Sequence, residues 1–194
     1  MKTSKVISLF ALLAILLVPT AVRADKYSSK AHKMVVAGTS TLHDWEAPAG
    51  TLSAKGDITI QNAVLQSIGS LNLTCLAKSI KSPKGEDMDE KIYEALKADD
   101  FPNITFTLSN VKSITKSGDE WVIEATGMLT IGGNAKSVDM TVKAKLEADG
   151  DVIFTGTKKI KLSGFSLERP SAMLGMIKCG DDITLTFSLT MKKG

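Results

Sequence analysis

Residues that commonly bind metal ions are scarce in this sequence. Its 194 residues include only two cysteines and two histidines. They are His32, His43, Cys75 and Cys179, and none has the CxxC or HxxxH spacing of a zinc site. Because a metal site needs three or four suitable ligands, we expect no metal centre.

Catalytic motifs are missing as well. Ser40, His43 and Asp44 have the residue types of a nucleophilic triad, but they stand within five positions of one predicted strand. Successive side chains of a strand point to opposite faces, so Ser40 and His43 cannot normally converge. A structural role at the strand end is the better interpretation. We therefore expect no enzyme.

Phosphate-binding motifs are equally weak, and no cofactor is expected. Gly132-Gly133 lies between two predicted strands, and no helix follows it to offer backbone N–H groups. Lys158, Lys159 and Lys161 could contact a phosphate, but alternating lysines on a strand are more typical of a solvated face.

The one long apolar run, at residues 6–18, falls short of the roughly 20 residues that span a bilayer. Lys2 and Lys5 precede it, and Val22-Arg23-Ala24 offers suitable residues at the positions that signal peptidase reads. We interpret residues 1–24 as a cleaved secretory signal that directs the protein to the periplasm. No cysteine follows the run to indicate a lipid anchor. Residues 25–194 would form one domain.

The sequence has no excess of positive or negative charge once this predicted signal is removed. The signal carries Lys2, Lys5 and Arg23 and no acid, so Lys+Arg falls from 24 to 21 and equals the 21 Asp+Glu. A neutral mature chain gives no reason to expect a nucleic-acid partner. Export also permits Cys75 and Cys179 to form a disulfide, and two buried free thiols are the alternative.

Most of the mature chain alternates polar and apolar residues, as half-buried strands do. Residues 25–33 are polar, and we expect them to be a frayed lead-in. Short links between alternating strands indicate antiparallel neighbours with one dry face, which fold into a barrel or a sandwich. Many inward positions are Gly, Ala or Val, which favours room inside. The predicted strands are 34–42, 52–60, 71–77, 103–114, 121–131, 138–146, 152–162 and 183–191.

One short amphipathic helix interrupts the strands. Met88, Ile92 and Leu96 form an apolar stripe, and Asp87 followed by Glu90 is an acidic form of the capping box. Pro102 ends the helical pattern. In a barrel, we expect the stripe to pack across or beside an open end.

Four motifs resemble those of the YceI-like family in order and spacing, over essentially all of the mature chain. The resemblance implies an eight-stranded antiparallel lipocalin-like barrel with one short inserted helix. It also implies a bacterial exported carrier or storage protein that holds a polyisoprenoid or similar amphiphilic chain. The motifs are Gly38-Thr39-Ser40-Thr41-Leu42-His43-Asp44-Trp45, Met88 with Tyr93-Glu94-Ala95-Leu96, Phe101-Pro102-Asn103-Ile104-Thr105-Phe106, and Gly127-Met128-Leu129-Thr130-Ile131-Gly132-Gly133 with Lys136 and Val138.

The dry strand faces and the resemblance together predict one apolar cavity along the barrel axis, without a buried ion pair. Its partner would be a long-chain isoprenoid or fatty lipid, and Trp45 would plug one mouth. The alternative is a periplasmic structural or interaction module with a filled barrel, for instance a homodimer formed through an edge strand. The residues expected to line the cavity are Ile104, Phe106, Trp121, Ile123, Met140, Val142, Phe154 and Phe187.

Overall fold

The computed structural model describes residues 23–172 and 176–194, which are mostly β-strand. Residues 1–22, which hold nearly all of the predicted secretory signal, lie outside the described part. One α-helix, α1 (Glu86–Leu96), stands between the fourth and fifth strands, and two short 3₁₀ helices occupy Ala77–Ser79 and Ser163–Phe165. The strands are β1 (Asp25–Ser40), β2 (Trp45–Ala49), β3 (Leu52–Gln61), β4 (Val64–Leu76), β5 (Asn103–Ser117), β6 (Glu120–Ile131), β7 (Asn134–Leu146), β8 (Val152–Lys161), β9 (Ser171–Ala172) and β10 (Ile177–Lys193).

Eight of the strands close into an antiparallel barrel. Their order is β1-β3-β4-β5-β6-β7-β8-β10, and β10 returns to pair with β1. β2 pairs with the second half of β1, and β9 pairs with the start of β10. The predicted eight-stranded barrel with one helix is therefore confirmed, and the sandwich is rejected. None of the described helices has the length and apolar character needed to cross a membrane.

The polar lead-in predicted for residues 25–33 is wrong, because these residues form the first part of β1. They pair with β3 on one side and with β10 on the other. Tyr27 is buried, and its hydroxyl donates a hydrogen bond to the Gly150 carbonyl at 3.2 Å. Lys26 on the outer face forms an ion pair with Asp57 at 2.6 Å. The segment looks polar because its outward positions carry charges that pair with neighbouring strands.

Three other strands begin earlier than the alternation indicated. β7 starts at Asn134 instead of Val138. β4 starts at Val64, and its pairing with β3 changes register between Asp57 and Ile58, which breaks the two-residue period. β10 starts at Ile177 and pairs there with β9, in a stretch that we expected to be irregular.

The helix begins without the predicted capping box. Gly85 is the N-cap and supplies no side chain, while Asp87 lies inside the first turn. The acidic residue that makes a defined contact is instead Asp89, which is buried and accepts a 2.6 Å hydrogen bond from the Ser82 amide. The helix ends at Leu96, before the proline is reached, and the C-cap residue Lys97 adopts a left-handed conformation with φ of 52°.

The two ends of the barrel differ. At the end that we call the turn end, tight turns join β3 to β4, β5 to β6 and β7 to β8, and a cluster including Ile58, Trp121 and Met191 fills the space. At the opposite end, the helix end, α1 lies against Cys75 and Ile80. The core is thus solid at the turn end, and the helix covers the other.

Candidate functional site

A continuous apolar cavity occupies the barrel between the turn-end core and α1. Its walls are almost entirely aliphatic and aromatic side chains from the inward faces of the strands. The cavity volume is about 190 Å³, and all the space between the walls, including the part that opens to solvent, measures about 1620 Å³. The barrel's own side chains therefore leave its interior unfilled, which argues against the filled-barrel alternative.

Seven of the eight residues predicted to line the cavity do so. The exception is Trp121, which is 6% exposed and belongs to the turn-end core, with the Lys116 ammonium 5.4 Å from its ring centre. It is the first inward residue of β6, so it lies at the end of the barrel. Alternation predicts the face of a strand correctly but says nothing of depth. The seven are Ile104, Phe106, Ile123, Met140, Val142, Phe154 and Phe187.

Some small inward residues make room for aromatic rings instead of widening the cavity. The Phe106 ring lies directly over Gly127. A Cβ added at Gly156 would stand 2.7 Å from Cζ of Phe187. The glycines of β6 and β8 therefore shape the wall by admitting a ring from the neighbouring strand.

The helix end is closed by α1 and Trp45. Ile92 and Leu96 line the cavity, which confirms that the apolar stripe faces an open end of the barrel, although Met88 of the same stripe is not part of the wall. Trp45 also lines the cavity, and its Nε1 donates to the Thr39 carbonyl at 3.1 Å.

One charged residue contributes to this wall in the described part of the chain. Lys158 lines the cavity, and its Nζ donates to the Asp139 backbone carbonyl at 2.6 Å. We expected this lysine to belong to a solvated strand face. The signal that could have identified it is its shared parity with the inward residues Phe154 and Ile160. In contrast, Lys161 forms an ion pair with Asp182 at 2.9 Å.

The residues of the candidate triad do not converge. β1 ends at Ser40, and His43 and Asp44 lie in the turn that follows, so they do not share a strand as we assumed. The Ser40 hydroxyl donates to the His43 carbonyl at 2.7 Å, and His43 Nδ1 lies 2.9 Å from the Asp44 carbonyl oxygen. These contacts stabilise a turn.

The candidate metal ligands stay apart. His32 Nε2 lies 3.3 Å from the Gly50 carbonyl oxygen. Across residues 23–172 and 176–194, no three His, Cys, Asp or Glu side chains form a group that could hold a metal ion.

Both cysteines are free thiols in the structure. This agrees with the alternative of two free thiols and not with a disulfide. Cys75 is buried and lines the cavity, whereas Cys179 is half-buried on β10 opposite Ser40. Burial raises the pKa of each thiol above its ordinary value. Both are therefore held as neutral, slowly reacting groups at neutral pH.

We expect two titratable thiols when the purified protein is denatured without reductant. In the native protein at pH 8, both should be alkylated more slowly than a small free thiol, because burial disfavours the reactive thiolate. A count of zero thiols after denaturation would show instead that the cysteines are paired.

Comparison with known proteins agrees with this barrel architecture. The YceI-like domain family matches residues 25–191. No curated protein matches the chain significantly. BcnA of Burkholderia cenocepacia is 22% identical with a TM-score of 0.60, over 82% of this chain and 95% of its own.

Two further solved structures share the fold. A polyisoprenoid binding domain from Saccharophagus degradans, implicated in plant cell wall breakdown, is 15% identical with a TM-score of 0.65, over 87% of this chain and 98% of its own. The YCEI protein of Campylobacter jejuni is 22% identical with a TM-score of 0.59, over 76% of this chain and 85% of its own. With the family match extending from the first barrel strand nearly to the end of the last, this chain belongs to the YceI-like family.

Proposed function

We propose that this protein is an exported soluble carrier or store of a polyisoprenoid or similar long-chain lipid. The observation that carries the proposal is the continuous apolar cavity inside a closed barrel. The Saccharophagus degradans domain, which is similar in fold, is described as polyisoprenoid binding, and this supports the same class of ligand. The basic and apolar amino-terminal segment supports export.

The cavity suits a long chain with a small polar part. Its wall reaches from Ile68 and Leu71 on β4 to Leu162 and Ile183 near the helix end. A polar ligand would lose its hydrogen bonds to water there and find few partners. Among the described residues of the wall there is no pair of acidic and basic groups for proton transfer, so we propose binding without catalysis.

A chain of this kind should bind tightly. About 40 carbons at roughly 0.3 kcal/mol per heavy atom amount to about 12 kcal/mol, which corresponds to nanomolar affinity. Binding of that strength holds a lipid during purification and still permits exchange at a membrane.

Transfer between vesicles tests the carrier role. Delipidated protein is mixed with donor vesicles that contain a labelled long-chain polyprenol, and acceptor vesicles are then added. We expect the protein to take up label and to deliver it faster than spontaneous exchange does in its absence. Uptake without delivery would indicate storage, and failure to take up any apolar chain would refute lipid binding.

A further inference from the structure

The barrel wall has an interruption between β7 and β8. These strands pair only near the turn end, and their ladder stops at Val142 and Gly156. Beyond it, residues 134–141 pair with β6 and residues 157–161 pair with β10, but no ladder joins the two segments in the described part of the chain. We call this interruption the β7–β8 gap.

The cavity reaches the wall at this gap. Val138 and Met140 on β7 line it from one side, and Lys158 and Ile160 on β8 line it from the other. Strand edges without a ladder present backbone groups that need other partners. The gap is therefore a place where the apolar interior adjoins polar atoms on the flank of the barrel.

Lys158 bridges the gap at its inner margin. Its ammonium donates to the Asp139 carbonyl at 2.6 Å, so it contacts the β7 backbone from β8 across the gap. An ammonium has three donors, and this contact uses one of them. No carboxylate of the described residues lies within ion-pair distance of Lys158. The side chain thus places methylene groups along the cavity and a positive charge at its edge.

The acidic side chain of β7 at the gap, Asp139, is already paired with another lysine. The Asp139 carboxylate accepts a 2.7 Å contact from Lys112 and a 2.7 Å hydrogen bond from Thr126. The Lys112 contact, and then the Thr126 bond, hold the pKa of Asp139 below its ordinary value, so this carboxylate remains charged and paired. Lys158 is the charged residue of the cavity wall among the described residues, and it has no carboxylate of its own as a partner.

We propose that the lipid carries an anionic end group, which Lys158 binds at the β7–β8 gap while the apolar chain extends into the barrel. This inference rests on the proposed function and names the polar end of its ligand. An anion at the gap keeps contact with water and gains a charge-assisted hydrogen bond, which it could not do within the apolar interior. Phosphate and carboxylate share this chemistry.

The test compares three ligands with the same chain: geranylgeraniol, geranylgeranoic acid and geranylgeranyl phosphate. Their affinities are measured by displacement of a neutral fluorescent naphthylamine from the delipidated protein. We expect the anionic ligands to bind about tenfold or more tightly than the alcohol, which corresponds to about 1.4 kcal/mol. The phosphate and carboxylate arms distinguish the two sources of the anion.

Three variants assign the preference to one side chain. Lys158→Met should lose the preference for anions and keep its affinity for the alcohol, whereas Lys158→Arg should retain the preference. Lys159→Met is the matched control, because Lys159 is the exposed next residue with opposite parity on β8. A lysine that served only to tie β7 to β8 would change the affinities of all three ligands alike.

Added salt tests the charge without any substitution. The preference of the wild-type protein should shrink as the ionic strength rises from about 0.05 M to about 0.5 M, since Lys158 is only half-buried and salt screens its charge. Equal affinities for the alcohol and both anions, or a preference that survives in Lys158→Met, would overturn the assignment while leaving lipid binding intact. If none of the three ligands displaced the probe, the proposed function itself would fail.

Discussion

Substituting tryptophan at Val142 is expected to abolish lipid uptake while the barrel stays folded. Val142 lines the cavity and is paired with Ile123 on β6 and Gly156 on β8. An indole at this position would enter the space that the chain should occupy. We expect affinity for a long polyprenol to fall at least about tenfold, at a cost of about 1 to 3 kcal/mol in stability from overpacking.

The matched control is Thr141→Trp. Thr141 is exposed on the outer face of the same strand, so the same side chain is added one residue away without entering the cavity. Uptake by this variant should equal that of the wild type. A folded Val142→Trp variant that takes up as much lipid as the wild type would show that the chain binds elsewhere.

Leu96→Asp is expected to destabilise the protein by about 2 to 4 kcal/mol. Leu96 is half-buried on α1, lines the cavity and packs among the residues that close the helix end. A carboxylate there would lose water without gaining a partner. With a urea slope of about 2 kcal/mol per molar, the denaturation midpoint should fall by roughly 1 to 2 M.

Glu94→Asp provides the comparison for this helix. Glu94 is exposed, so this variant places the same aspartate side chain in solvent. Its effect on stability should reflect only the small difference in helix propensity between glutamate and aspartate. A midpoint for Leu96→Asp that matches this control would mean that the apolar stripe does not contribute to closing the barrel.

The inward faces of the strands could be predicted from the sequence, but depth along the barrel could not. Alternation identified Phe106, Met140 and Phe187 as inward, and all three line the cavity. The same alternation applies to Trp121, which fills the turn end instead. A two-residue period is identical along the whole strand, so it carries no information about which part borders a cavity and which part borders a solid core.

Features that depend on partners distant in sequence were also beyond prediction. The polar start of β1 is held by contacts such as that of Tyr27 with Gly150, and neither residue alone indicates a strand. The β7–β8 gap arises from where two ladders end, so the sequence of β8 made Lys158 look like one more solvated lysine. The helix begins at Glu86 after the N-cap Gly85, which has no side chain to cap it, and local capping rules consequently placed its start at the wrong residue.

Organic extraction of the purified protein, followed by mass spectrometry, tests lipid binding most directly. We expect a long-chain isoprenoid or fatty lipid to be recovered at up to about one molecule per barrel. The Val142→Trp variant, purified in parallel, should yield little or none. If the wild-type protein yields no apolar chain after purification, and takes up none when polyprenols are supplied, the cavity is not a lipid site and the central claim is contradicted.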